Sequence, residues 1–142
     1  MKGLTACGDR LRQAHGLPAL LDAACDAFEV ILTVIGTYED ATSTGMAITF
    51  LLVATRAANA RDAVLFAPSL PPRALHPRQA GQQPERGSAP DIRAAVADLS
   101  QLLASQLART ATTLAAGPDK AACHDAGRYA RQIHDLLARS AP

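Results

Sequence analysis

Asp22, Asp26 and Glu29 recur at i, i+4 and i+7, which sets three carboxylates in one line along any helix that carries them. Such a line can hold a divalent cation if a facing helix supplies further ligands, as in di-iron bundles built on a Glu and a Glu-x-x-His pair. The sequence contains no Glu-x-x-His, so a solvated acidic face is the simpler expectation. His124, Arg128, Arg131 and Asp135 form a comparable, mainly basic line, suited to an anion or to the acidic line itself. His134 continues a different line, with Cys123, Gly127, Ala130 and Leu137, whose small residues suit a close helix approach or a cavity.

A second constellation lies at Thr55, Asn59 and Asp62, which follow Ile48 and Leu52 at helical spacing. Polar groups on an inward line need partners. With Tyr129 and His134 they would line a polar pocket for a small ligand or for a simple acid–base reaction. These five residues are the candidate ligand-binding set. Cys25, Cys123 and His134 match no chelating spacing and read as packed groups, so neither a metal nor a cofactor is expected. There is no Gly-rich phosphate loop, no Gly-x-Ser-x-Gly elbow, and no Cys or Ser with a His suited to activate it; no catalytic residue is assigned.

The elements that must position these groups are helical. In a chain of 142 residues that is 49% apolar but only 4% aromatic, the core has to be filled by Ala, Leu, Val and Ile, and alanine is the best helix former. Residues 4 to 14 suit a short amphipathic helix through Leu4, Leu11 and Ala14, ended by Gly16. Four longer helices follow. The first spans about 18 to 38, with Leu17, Leu21, Ala24, Phe28, Ile31 and Ile35 on one face, and the second about 42 to 66. The stretch 68 to 90 is rich in proline and reads as a linker. Ser88, three residues before Asp91, caps a third helix that carries Ile92, Val96, Leu99, Leu103 and Leu107 inward. Gly117 and Pro118 make the turn into the fourth, about 119 to 139. The expected fold is an all-α four-helix bundle of two hairpins, residues 1–67 and 91–142, joined by the 68–90 linker in one domain.

The stretch Met46 to Ala54 is apolar almost throughout. It would span about 14 Å as a helix, against the roughly 30 Å of a bilayer core, so a membrane is not its cover. A bundle shelters about three positions in seven of each helix. Val30 and Val34 on the first long helix and Met46, Phe50, Val53 and Ala57 on the second exceed that allowance, and they form the expected interface for a homodimer or a partner protein. The competing cover is the chain itself, through Leu4, Leu70 and Leu75.

A formal net charge of +1 argues against nucleic acid as a partner. Three cysteines without paired spacing, and an N-terminus that lacks a continuous apolar run, point to a cytoplasmic protein with reduced thiols. Arginine outnumbers lysine twelve to two, beside abundant Ala and Pro, as GC-rich bacterial codons produce. The functional expectation is a non-enzymatic bacterial accessory or regulatory protein that acts through helix-mediated association. The alternative is a small-ligand binder or acid–base enzyme using the polar pocket. Pro68 and Pro71 with nearby Arg73 also match a polyproline ligand, although a spacer explains them as well.

Overall fold

The computed structural model describes residues 2–38, 44–73 and 88–139. They are all-helical, with no strand among them, and form α1 (Lys2–Gln13), α2 (Leu17–Tyr38), α3 (Thr44–Leu65), α4 (Ala89–Thr113) and α5 (Pro118–Arg139). The short helix expected over residues 4 to 14 is present as α1 and is an integral part of the packing, so five helices, rather than a bundle of four, make up the described residues. The apolar α1 residues Leu4, Cys7 and Leu11 are buried, and the helix lies against both α2 and α4.

Local signals set the helix ends. Gly16 adopts φ 87°, a left-handed conformation that costs glycine little and allows the sharp turn from α1 into α2. Its carbonyl accepts the first α2 hydrogen bond, from Leu20 at 3.1 Å. Ser88 stands in extended conformation before α4 and its Oγ accepts the Asp91 N–H at 3.3 Å, a cap that typically contributes about 1 kcal/mol. Pro118 opens α5, where its missing N–H costs nothing.

In cross-section α2 packs on α3, α3 on α5, and α5 on α4, while α1 fills the side between α4 and α2. The end of α3 is tied to the start of α5: the Ser69 N–H and hydroxyl both donate to the Asp119 carboxylate, at 3.1 and 2.6 Å. α3 and α5 are therefore antiparallel. Phe28, Phe50, Leu21, Ile31, Ile92, Leu103, Leu107, Ile133 and Leu137 are all buried in one continuous core.

Helix α2 sits deepest. Besides its expected face, Leu20, Ala23, Cys25, Ala27 and Val34 are also buried, since α1 and α3 flank it and Arg73 reaches it from the segment after α3. Ala67, Leu70 and Arg73 of this segment thus meet the helices, with Ala67 buried and Leu70 packed against the core. Leu75, the other linker residue expected to cover the core, lies outside the described residues.

Candidate functional site

The acidic line of α2 is occupied from within the chain. Asp22 and Asp26 sit between two guanidinium groups, Arg10 from α1 and Arg73 from the segment after α3. Arg73 Nη1 donates to Asp22 Oδ1 at 2.7 Å and to the Asp22 carbonyl at 3.1 Å, while its Nη2 donates to Asp26. Arg10 donates to Asp26 and lies 3.4 Å from Asp22. Burial disfavours the Asp26 charge, but the hydrogen bonds from Arg10 and Arg73 outweigh it and hold its carboxyl below the ordinary carboxylate range. The hydrogen bond to Asp26 raises Arg10; Arg73, which burial opposes, is raised by the same partner. Glu29 points elsewhere, into a hollow of about 420 Å³ that it shares with Leu32, Thr33 and Arg61.

Carboxylates already neutralised by two permanent cations are poor ligands for a third, and among the described residues no group of three His, Cys, Asp or Glu could hold a metal ion. The three cysteines are buried and none is in a disulfide. Burial pushes the Cys25 thiol up to about 11, with Arg73 pulling the other way, and burial also raises Cys123. Both are packed, unreactive thiols in this state.

The candidate ligand set does not converge. Thr55 is exposed and its hydroxyl donates to the Leu51 carbonyl at 3.0 Å, within its own helix. Asp62 is exposed and lies 3.4 Å from neighbouring Arg61; Asn59 is half-buried. On α5, Tyr129 has the Arg128 guanidinium 5.3 Å from its ring centroid, and His134 Nδ1 lies 3.2 Å from Asp135. The hydrogen bond with His134, helped by Arg131, holds the Asp135 carboxyl below its ordinary range. Among the described residues no hydrogen bond joins the α3 set to the α5 set, and neither hollow between helices is lined by any of the five.

The reason is that α3 is turned about its axis from the expected orientation. Phe50, Val53 and Ala57, expected at an interface, are fully buried, and Val34 is buried beside them; Met46 and Val30 are half-buried. That interface is corrected: these residues pack inside the chain. The line expected inward is the outward one. Ile48, Leu51 and Leu52 are exposed near the start of α3, and Leu65 and Phe66 at its end, Phe66 to 82%. A signal for this was present. Met46, Phe50, Val53, Ala57, Ala60, Val64 and Ala67 recur at alternating steps of four and three, apolar without interruption, whereas the Ile48 line turns polar at Thr55.

Among the described residues the basic line of α5 does not meet the acidic line of α2, since those two helices do not pack on each other. The basic line forms one wall of a groove of about 910 Å³ between α4 and α5, lined by Lys120, His124, Arg128 and Arg131 on one side and Arg109 on the other. The floor is made of small residues. Gly127 belongs to it because a Cβ there would lie 3.3 Å from Leu107 Cβ and 3.5 Å from the Ala108 nitrogen. The close approach expected from Cys123, Gly127 and Ala130 is realised against α4, with all three buried.

No helix among the described residues is long and apolar enough to cross a membrane. No protein-family model matches the chain, and comparison with curated proteins and with solved structures finds no significant match.

Proposed function

We propose that this chain is a non-enzymatic association module, accessory or regulatory in role, which pairs with a second copy of itself through the outward line of α3. In this reading α2–α3 and α4–α5 are the two hairpins of a four-helix bundle, and α1 is a cover over its α2–α4 side.

One observation carries the proposal: large apolar side chains, Ile48, Leu51 and Leu52 at one end and Leu65 and Phe66 at the other, stay exposed on a helix whose core face is already complete. Their order is self-complementary. Under a two-fold axis near Ala57, an antiparallel copy brings Phe66 over Ile48, Leu51 over Ala63, Leu52 over Asp62 and Thr55 over Asn59, with apolar contacts at both ends and polar groups between them. A strip about 27 Å long and one helix wide buries roughly 500 Å² a side, the low end of specific interfaces, so the dimer is weak and concentration-dependent.

Sedimentation equilibrium from micromolar to near-millimolar protein tests it. A monomer–dimer equilibrium is expected, lost in Leu51→Asp and Phe66→Asp while the far-ultraviolet circular dichroism stays unchanged. A strict monomer at the highest concentration, or a dimer indifferent to both substitutions, refutes the reading.

A further inference from the structure

The groove between α4 and α5 has two properties that belong together. Its floor is made of small side chains, Ala104, Ala108, Ala111 and Gly127 with the hydroxyls of Ser105 and Thr112 beside them, and the two helices approach closely enough there that a Cβ on Gly127 would press on Leu107. Its rim is cationic, and the cations are strung out rather than convergent. Lys120, Arg128 and Arg131 follow one another at whole-turn spacing along one face of α5, over about 16 Å and with the imidazole of His124 between the first two, and Arg109 stands across the groove on α4.

The spacing selects the ligand. A single phosphate or carboxylate head is held by donors that converge on one point. Cations set in line at whole-turn spacing on one helix face match carboxylates set in line in the same way on another helix. Two acids are already on the rim: Asp125, 3.6 Å from His124 and 3.9 Å from Arg128, and Asp135, 3.4 Å from Arg131. These exposed pairs are weak, and those of Arg128 and Arg131 each engage only part of a guanidinium that carries five donors. The strip stays net positive. Its counterpart within the chain is spent, since Asp22 and Asp26 are clamped by Arg10 and Arg73. The lining holds no Phe, Tyr or Trp ring to serve as a stacking platform for successive bases.

We infer that the α4–α5 groove is a docking site for an acidic amphipathic helix of a partner protein, laid along the groove with its small apolar face on the alanine and glycine floor and its carboxylates against the α5 cations. The site shares no residue with the α3 face, so it stands or falls separately from self-pairing.

The probe is a panel of amidated, fluorescein-labelled helical peptides with Glu at i, i+4 flanking an Ala/Leu face, together with composition-matched scrambles that cannot form that face. Anisotropy titrations of the whole protein are run at low and at physiological salt. Supporting results are saturable binding of at least one panel member, at least tenfold tighter than its scramble, weakened by salt, reduced at least tenfold by the pair Arg128→Glu and Arg131→Glu, and retained in Leu51→Asp. Both arginines are exposed, so circular dichroism of the double variant is expected to match the parent; should it not, Lys120→Glu with Arg109→Glu provides the same reading from the other end of the groove. Three results overturn the inference: no panel member binds, scrambles bind as tightly as their parents, or a single-stranded oligonucleotide or dodecanoate binds more tightly than any peptide and loses that binding in the double variant.

Discussion

Replacing Phe50 and Leu51 one at a time by alanine separates the two faces of α3, although the residues are adjacent in the chain. Phe50 is fully buried. An aromatic side chain covers about 200 Å², and at about 25 cal/mol per Å², less the part an alanine methyl still covers, truncation removes roughly 3 to 4 kcal/mol. The cavity left in a core flanked by other helices keeps the cost in the 3–5 kcal/mol range seen for Phe→Ala, approximately. Leu51 is 55% exposed. It has less than half of its transfer energy to lose, so Leu51→Ala costs about 0.5 to 1 kcal/mol. Urea unfolding followed by circular dichroism, in dilute solution where self-pairing contributes nothing, reads both values from the midpoints. For a chain of this size the larger loss also lowers the melting temperature by roughly 10 °C or more. If Leu51→Ala proves as costly as Phe50→Ala, or the order reverses, α3 does not present the faces described, and the self-pairing surface falls with it.

The remaining predictions concern titratable groups. Asp26 is held below its ordinary value of 3.8 in the folded state, so its contribution is fully present above that value and is lost as pH falls through the lower, folded one. Arg73→Ala is expected to cost about 1 to 2 kcal/mol at neutral pH, through lost charged hydrogen bonds in a partly exposed site, and to flatten the acid limb of the stability profile; an acid limb identical to the parent's would show that Arg73 does not hold Asp26. The Cys25 thiol, raised from 9.0 to about 11, favours the folded state below 9.0 relative to higher pH, and that advantage is lost as pH climbs toward 11 because the unfolded chain ionises first. Compared with Cys25→Ala, the parent is therefore expected to lose extra stability above pH 9.0, and in the native protein Cys25 is expected to resist iodoacetamide; rapid native alkylation at that residue, identified by mass spectrometry, contradicts its burial.

Much of the architecture was legible in the one-dimensional pattern. The Ser88 cap, the Pro118 opener and the apolar periodicity of α4 and α5 are local properties, and local properties act within a few residues wherever the chain goes. The existence of α1 could be read from Leu4 and Leu11, although its role as a packed fifth helix could not. The orientation of α3 differs from the one its sequence suggests, for a physical reason. A helix apolar on nearly every side carries little directional information, so its core face is chosen by neighbours that offer a matching surface, here α2 and α5. The continuous Phe50–Val53–Ala57–Ala60–Val64 line held the clue.

The site residues divide in the same way. Helical spacing by itself determined that Asp22 aligns with Asp26 and that His124, Arg128 and Arg131 share a face, because i, i+3 and i+4 neighbours are fixed by 3.6 residues per turn. Only the tertiary structure decided what meets them. Arg10 lies 16 residues and Arg73 47 residues from Asp26 in the chain, and no periodicity reaches that far. Nor could any local rule reveal that the α2 carboxylates are satisfied within the chain while the α5 cations face an open groove, since pairing between distant charges follows from which helices come to lie side by side.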